Sequence, residues 1–152
     1  MAGNDHDIGT LNSLIATTLD SVQGYEEAAK DDEQGRYRSL FTQRAGERRQ
    51  VATALQAEVR RIGGTPSEGG TALGGAHRMF VNLKASVLGN DEQAVVNEVE
   101  RGEDHIKAKY EDALEDGELS ASTRAAIEEG YRSVREGHDQ MRDLKHSLQA
   151  QN

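Results

Sequence analysis

Val95-Val96-Asn97-Glu98-Val99-Glu100-Arg101-Gly102-Glu103-Asp104-His105-Ile106 is the stretch on which the fold turns. Val95, Val99, Ile106, Tyr110 and Ala113 share one face of a helix predicted from about Asp91 to Glu115. Glu103 follows Val99 by four residues and precedes Ile106 by three, so it lies on that apolar face, with Glu100 flanking it. A carboxylate in an apolar interior is costly unless it is paired, so this stripe demands cations from other helices. Arg44, three residues after Phe41, and Arg48, three before Val51, answer from an earlier helix. His138, between Val134 and Met141, answers from the last.

Outward from that stretch, apolar residues at three- and four-residue steps define the remaining elements. Leu11, Ile15, Leu19, Val22 and Ala29 mark a first helix from about Thr10, a capping residue, to Lys30. Asp31 with Gln34 resembles a capping box for a second helix reaching Ile62, striped by Tyr37, Phe41, Val51, Leu55, Val59 and Ile62. Gly63-Gly64 and Pro66 stop it, and Thr65 to Gly75 reads as an exposed loop. A short helix, about Ala76 to Leu88, gathers Met79, Phe80, Leu83, Val87 and Leu88 on one side. Gly89 ends it and Asn90 caps the next helix; Gly117 and Ser120 then divide that helix from the last. The last helix is striped by Ile127, Tyr131, Val134, Met141 and Leu148 to near Ala150. The expectation is an all-α four-helix bundle over residues 10–150, with a short helix in a long crossover and a flexible N-terminus over residues 1–9.

Composition agrees. The 152 residues are 35% hydrophobic, 4% aromatic and 30% charged, with one proline, a profile suited to long helices in a single domain. The net charge of −9 argues against nucleic acid as a partner. With no cysteine, disulfides and thiolate metal sites are excluded. Residues 1–7 lack the basic and apolar regions of a secretory signal, and no apolar run approaches the ~20 residues that cross a bilayer. The expected location is cytoplasmic, with no membrane association.

Buried charge also selects the connectivity. If the crossover makes the second and third long helices parallel, then counting from their shared end puts Arg44 ten residues from Gln34 and Glu100 ten from Asn90. His138 is twelve from Ala150, Glu103 thirteen from Asn90 and Arg48 fourteen from Gln34. At ~1.5 Å per residue these five fall within about 6 Å of one level. An up-down-up-down chain would strand His138. Gly46, Gly102 and Gly137 share that level. Either they make room for large polar side chains or they face solvent.

A crossover bundle with Glu and His in mid-core is the ferritin-like plan. More closely, the chain resembles a bacterial ferritin-like four-helix-bundle family of unknown function. The likeness is carried by Leu11-Asn12-Ser13-Leu14-Ile15, by 55–64 (LQAEVRRIGG), by His77-Arg78 with Asn82-Leu83-Lys84, by Glu100-Arg101-Gly102-Glu103-Asp104 and by His138-Asp139. The resemblance implies the fold and a link to stress responses, and no established reaction. Di-iron bundles take a Glu from each of two helices and Glu-x-x-His from each of the other two. This chain offers Arg135-x-x-His138 and Glu47-x-x-Gln50, and only Thr18, Leu19 and Val22 on the first helix. Arginines would stand where two cations should.

The expected role is therefore non-enzymatic, with Arg44, Arg48, Glu100, Glu103 and His138 as a structural charge network, no catalytic residue and no cofactor. Two alternatives differ in class. One is a degenerate metal or oxidoreductase site in which Glu100, Glu103 and His138 weakly hold one iron, zinc or manganese ion. The other is a homo-oligomeric or partner-binding helical module, in which the short helix with Met79, Phe80, Leu83 and Leu88 pairs with a second subunit, as in a homodimer; covering its own bundle is the more economical use of that helix. His6, His77 and His105 read as solvated or capping, and the tyrosines as core or boundary residues.

Overall fold

The computed structural model describes residues 2–31, 37–70 and 92–151. Four helices account for most of them: α1 (Ala2–Asp31), α2 (Arg38–Arg61), α3 (Glu92–Leu114) and α4 (Ala121–Gln151), with no strand among the described residues. The predicted short helix at 76–88 and the Asp31/Gln34 capping box lie outside the described residues.

The all-α bundle expected from periodicity is what forms, and the apolar stripes are buried. Phe41, Val51, Leu55 and Val59 of α2, Val95, Val99, Ile106 and Tyr110 of α3, and Ile127, Val134 and Met141 of α4 are all buried. One boundary differs. α1 begins at Ala2, not Thr10, so residues expected to be a loose terminus are helical. Tertiary contacts supply the reason. Asp7 is buried and accepts hydrogen bonds from the Ser120 amide at 3.3 Å and the Thr123 hydroxyl at 3.1 Å. Asn4 donates to the Ile62 carbonyl at 3.2 Å, and Ile8 packs on the core. Asp5 in the first turn also opposes the helix dipole. Thr10 only looked like a start.

The stop signals act as read. Gly63 adopts φ +91°, the Gly64 amide donates to the Val59 carbonyl at 2.9 Å, and the Gly63 amide donates to Arg60 at 3.1 Å. That pairing is a Schellman cap, which relieves the last unpartnered carbonyls of α2. Ile8 covers it so closely that a Cβ on Gly64 would lie 2.7 Å from its Cδ1. Ser120 caps α4, accepting the Thr123 amide at 3.4 Å.

Helix directions follow from paired contacts. Arg61 reaches Ser122 at 2.7 Å while Arg44 reaches Gln140, so α2 and α4 are antiparallel. Thr18 meets Tyr110 at 2.7 Å while Tyr25 meets Glu103, so α1 and α3 are antiparallel too. Two hairpins joined in this way leave α2 and α3 parallel, the one-crossover connectivity. The chain after α2 starts that return along α1. Asn12 holds the Thr65 carbonyl at 3.1 Å and the Ser67 amide at 2.8 Å, and Gly70 lies against Asp20.

The apolar interior comes in two parts. One centres on Tyr25, Phe41, Val95, Val99 and Met141, the other on Leu11, Ile15, Leu55, Ile106 and Ile127. Between them lies a polar layer.

A candidate functional site in the polar layer

Arg48 and Glu103 are both 0% exposed, and their side chains form an ion pair at 2.5 Å between α2 and α3. Each helix places its residue there because the flanking apolar positions, Ala45 with Val51 and Val99 with Ile106, are themselves buried. Both Glu103 oxygens are engaged: Arg48 holds Oε2 and the Tyr25 hydroxyl donates to Oε1. Arg48 spends a second nitrogen on Ser21 Oγ at 3.0 Å, and its Nε has no partner. Burial works against the charge on Arg48, yet Glu103 outweighs it and raises the guanidinium above its already high ordinary pKa. Burial, then the neighbouring carboxylate, pushes the Tyr25 phenol well above 10. The triad therefore sets a charged guanidinium and a neutral phenol on the two oxygens of Glu103.

Arg44, 3% exposed, lies beside this triad, bonded to Glu47 at 2.6 Å and to Gln140. Gly137 makes this possible. A Cβ there would sit 2.7 Å from Arg48 Nη2 and 2.8 Å from Arg44 Nη1. Of the glycines at this level, Gly137 gives room to side chains, whereas Gly46 is exposed with nothing within 4 Å of its Cβ position. Gly102 is buried.

The remaining residues of the expected network turn elsewhere. His138 is 8% exposed, but its Nε2 meets Asp104 at 2.6 Å and its Nδ1 meets Asp139 at 3.3 Å. The contact with His138 holds Asp139 below the usual carboxylate range. Glu100 is half-buried, with Lys145 Nζ 3.3 Å away outside hydrogen-bonding geometry. The five charges thus share a region without forming one network, because each outer residue finds a partner nearer the rim. Tyr25, Ser21, Asp104, Gln140 and Lys145 complete these pairs and were not singled out from the sequence. Tyr25 carried a readable signal, three residues after Val22 on the stripe of α1 with a phenol that needs a partner once buried.

Both Glu103 oxygens are engaged, and His138 and Glu100 engage different groups, so the ligand atoms of these three do not converge. Among the described residues, the His and carboxylate ligand atoms that gather within 4.8 Å belong to His6, Asp116 and Glu118, at the end of the bundle. No described helix is long and apolar enough to cross a membrane.

A one-crossover helical bundle with an ion pair in its interior is the class of protein that this fold and site define. Within that class, the chain belongs to the family described as a domain of unknown function, DUF2383, whose sequence profile matches residues 7–116. That span covers α1 from residue 7 onward, α2, α3 and the Tyr25, Arg48 and Glu103 triad. No curated protein matches the chain.

Proposed function

We propose that this chain is a non-enzymatic, ferritin-like bundle protein of stress physiology, in which a guanidinium–carboxylate pair has taken the mid-core position that di-metal relatives give to cations. The observation that carries this reading is the fully buried Arg48–Glu103 pair, with Tyr25 closing the remaining carboxylate oxygen. A guanidinium in that position repels a divalent cation and consumes the carboxylate that would bridge it. What the arrangement does is fix register: one carboxylate on α3 addresses α1 and α2 together. The ferritin-like kinship and the stress role come from the sequence resemblance.

The competing reading, one iron, zinc or manganese ion on Glu100, Glu103 and His138, requires those groups to abandon Lys145, Arg48 and Asp104. The test is metal analysis of untagged protein beside its His138→Ala and Glu103→Gln variants. Expected are no metal that depends on either residue and a large loss of thermal stability in Glu103→Gln. Stoichiometric metal lost with His138→Ala would overturn the proposal. The homodimer reading rests on Met79, Phe80, Leu83 and Leu88, outside the described residues; a mass that rises with concentration and falls in Phe80→Glu would support it.

A further inference from the structure

We propose that His6, Asp116 and Glu118 form a zinc-class divalent metal site that clasps the start of α1 to the turn between α3 and α4. Residues 110 positions apart in sequence meet here, and their three ligand atoms lie within 4.8 Å of one another. His6 Nε2 stands 2.6 Å from Asp116 Oδ2 and 4.0 Å from Glu118 Oε2. Tetrahedral zinc with bonds of ~2.0–2.1 Å separates its ligand atoms by roughly 3.3 Å, a value between those two distances. Glu118 is a mostly exposed side chain, free to close the longer gap. Asp116 is already aimed: its Oδ1 accepts the Glu118 amide at 2.9 Å, which leaves Oδ2 facing the imidazole. Outer hydrogen bonds of this kind orient the ligands of metal sites.

Two of the three residues also face an open cavity. Its volume is about 560 Å³, and it is lined by Asp5, His6, Asp112 and Asp116, with Lys109 on its wall. It gives a cation room for water in the coordination positions the protein leaves open, and Asp5 and Asp112 add negative potential. Arg124, the other nearby cation, donates to the Leu114 and Asp116 carbonyls at 2.6 and 2.5 Å. Imidazole with two carboxylates suits zinc better than magnesium or calcium, which favour all-oxygen shells. The site is separate from the polar layer, and this proposal stands or falls apart from the reading of that layer.

The experiment is calorimetric titration of zinc chloride into the untagged full chain in a non-chelating buffer. Expected is one saturable site that weakens at least about tenfold in His6→Ala and in Glu118→Gln and is unchanged in His146→Ala, an exposed histidine near the far end of α4. Zinc should also raise the melting temperature of the wild type and leave that of His6→Ala unmoved. The proposal is overturned if zinc does not saturate below about 1 mM, if His6→Ala binds as the wild type does, or if Glu118→Gln and Asp116→Asn both bind normally. Loss in His138→Ala with retention in His6→Ala would refute it and place the ion in the polar layer. All these substitutions are at helix surfaces, turns or rims, and circular dichroism of each variant confirms that the bundle is intact before titration.

Discussion

Glu103 is the residue whose removal says most. Replacing it by Gln strands the Arg48 charge inside the protein, a loss of about 3–5 kcal/mol. For a domain of this size that lowers the melting temperature by on the order of 10 °C, measured by calorimetry. Replacing the whole buried set, Tyr25→Phe with Arg48→Met and Glu103→Leu, removes the desolvation cost together with the attraction. That triple variant is expected to melt at or above the wild-type temperature, and a melt well below it would show that the pair itself adds net stability. Gly137 and Gly46 make a matched pair. Gly137→Ala drives a methyl onto two guanidinium groups and should cost about 1–3 kcal/mol. Gly46→Ala meets only open space and should gain up to ~1 kcal/mol from helix propensity. Urea titrations of the two variants should therefore move in opposite directions.

Single helices show both how far the sequence can be read and where it falls silent. The stripes of α2, α3 and α4 were legible because three- and four-residue spacing is a local property of the chain. Arg48 and Glu103 were legible too, since a charge on such a stripe must find its opposite. The start of α1 was not, because what holds residues 4–8 in a helix is Ile62, Ser120 and Thr123, distant in sequence. Spacing says nothing of Lys145 or Asp104, the partners that Glu100 and His138 find, whose long or exposed side chains reach in from the rim. Tyr110 binds α3 to α1 through Thr18, and burial pushes its phenol from 10 up to about 12. The unfolded chain ionises this phenol near pH 10 while the folded chain keeps it neutral. Its stabilising contribution is therefore whole below pH 10 and is lost as the pH rises towards 12. The difference corresponds to roughly 2–3 kcal/mol, and Tyr110→Phe should flatten the fall of unfolding free energy across that window.

For the molecule as a whole, connectivity is the decisive property, and a chain without cysteine makes it easy to test. Cysteines introduced as Arg61→Cys with Ser122→Cys should be joined by a short bismaleimide, since these residues touch at 2.7 Å. Arg61→Cys with His146→Cys should remain unlinked, and the reverse result would mean up-down-up-down connectivity. Counting levels from helix ends pointed to the crossover from the sequence, but its premise that His138 would otherwise be stranded does not hold: the partner of His138 is Asp104 on α3, the helix that pairs with α4 as a hairpin. The interrupted interior carries a further consequence. With its oily contents divided at mid-height, the bundle is expected to open in two groups, joined by the four helices that run through both and by the ionic layer between them. Native-state hydrogen exchange should find amides around Phe41 and Val99 opening as one group and those around Leu55 and Ile127 as another, and neutralising Glu103 should widen the gap between their opening energies.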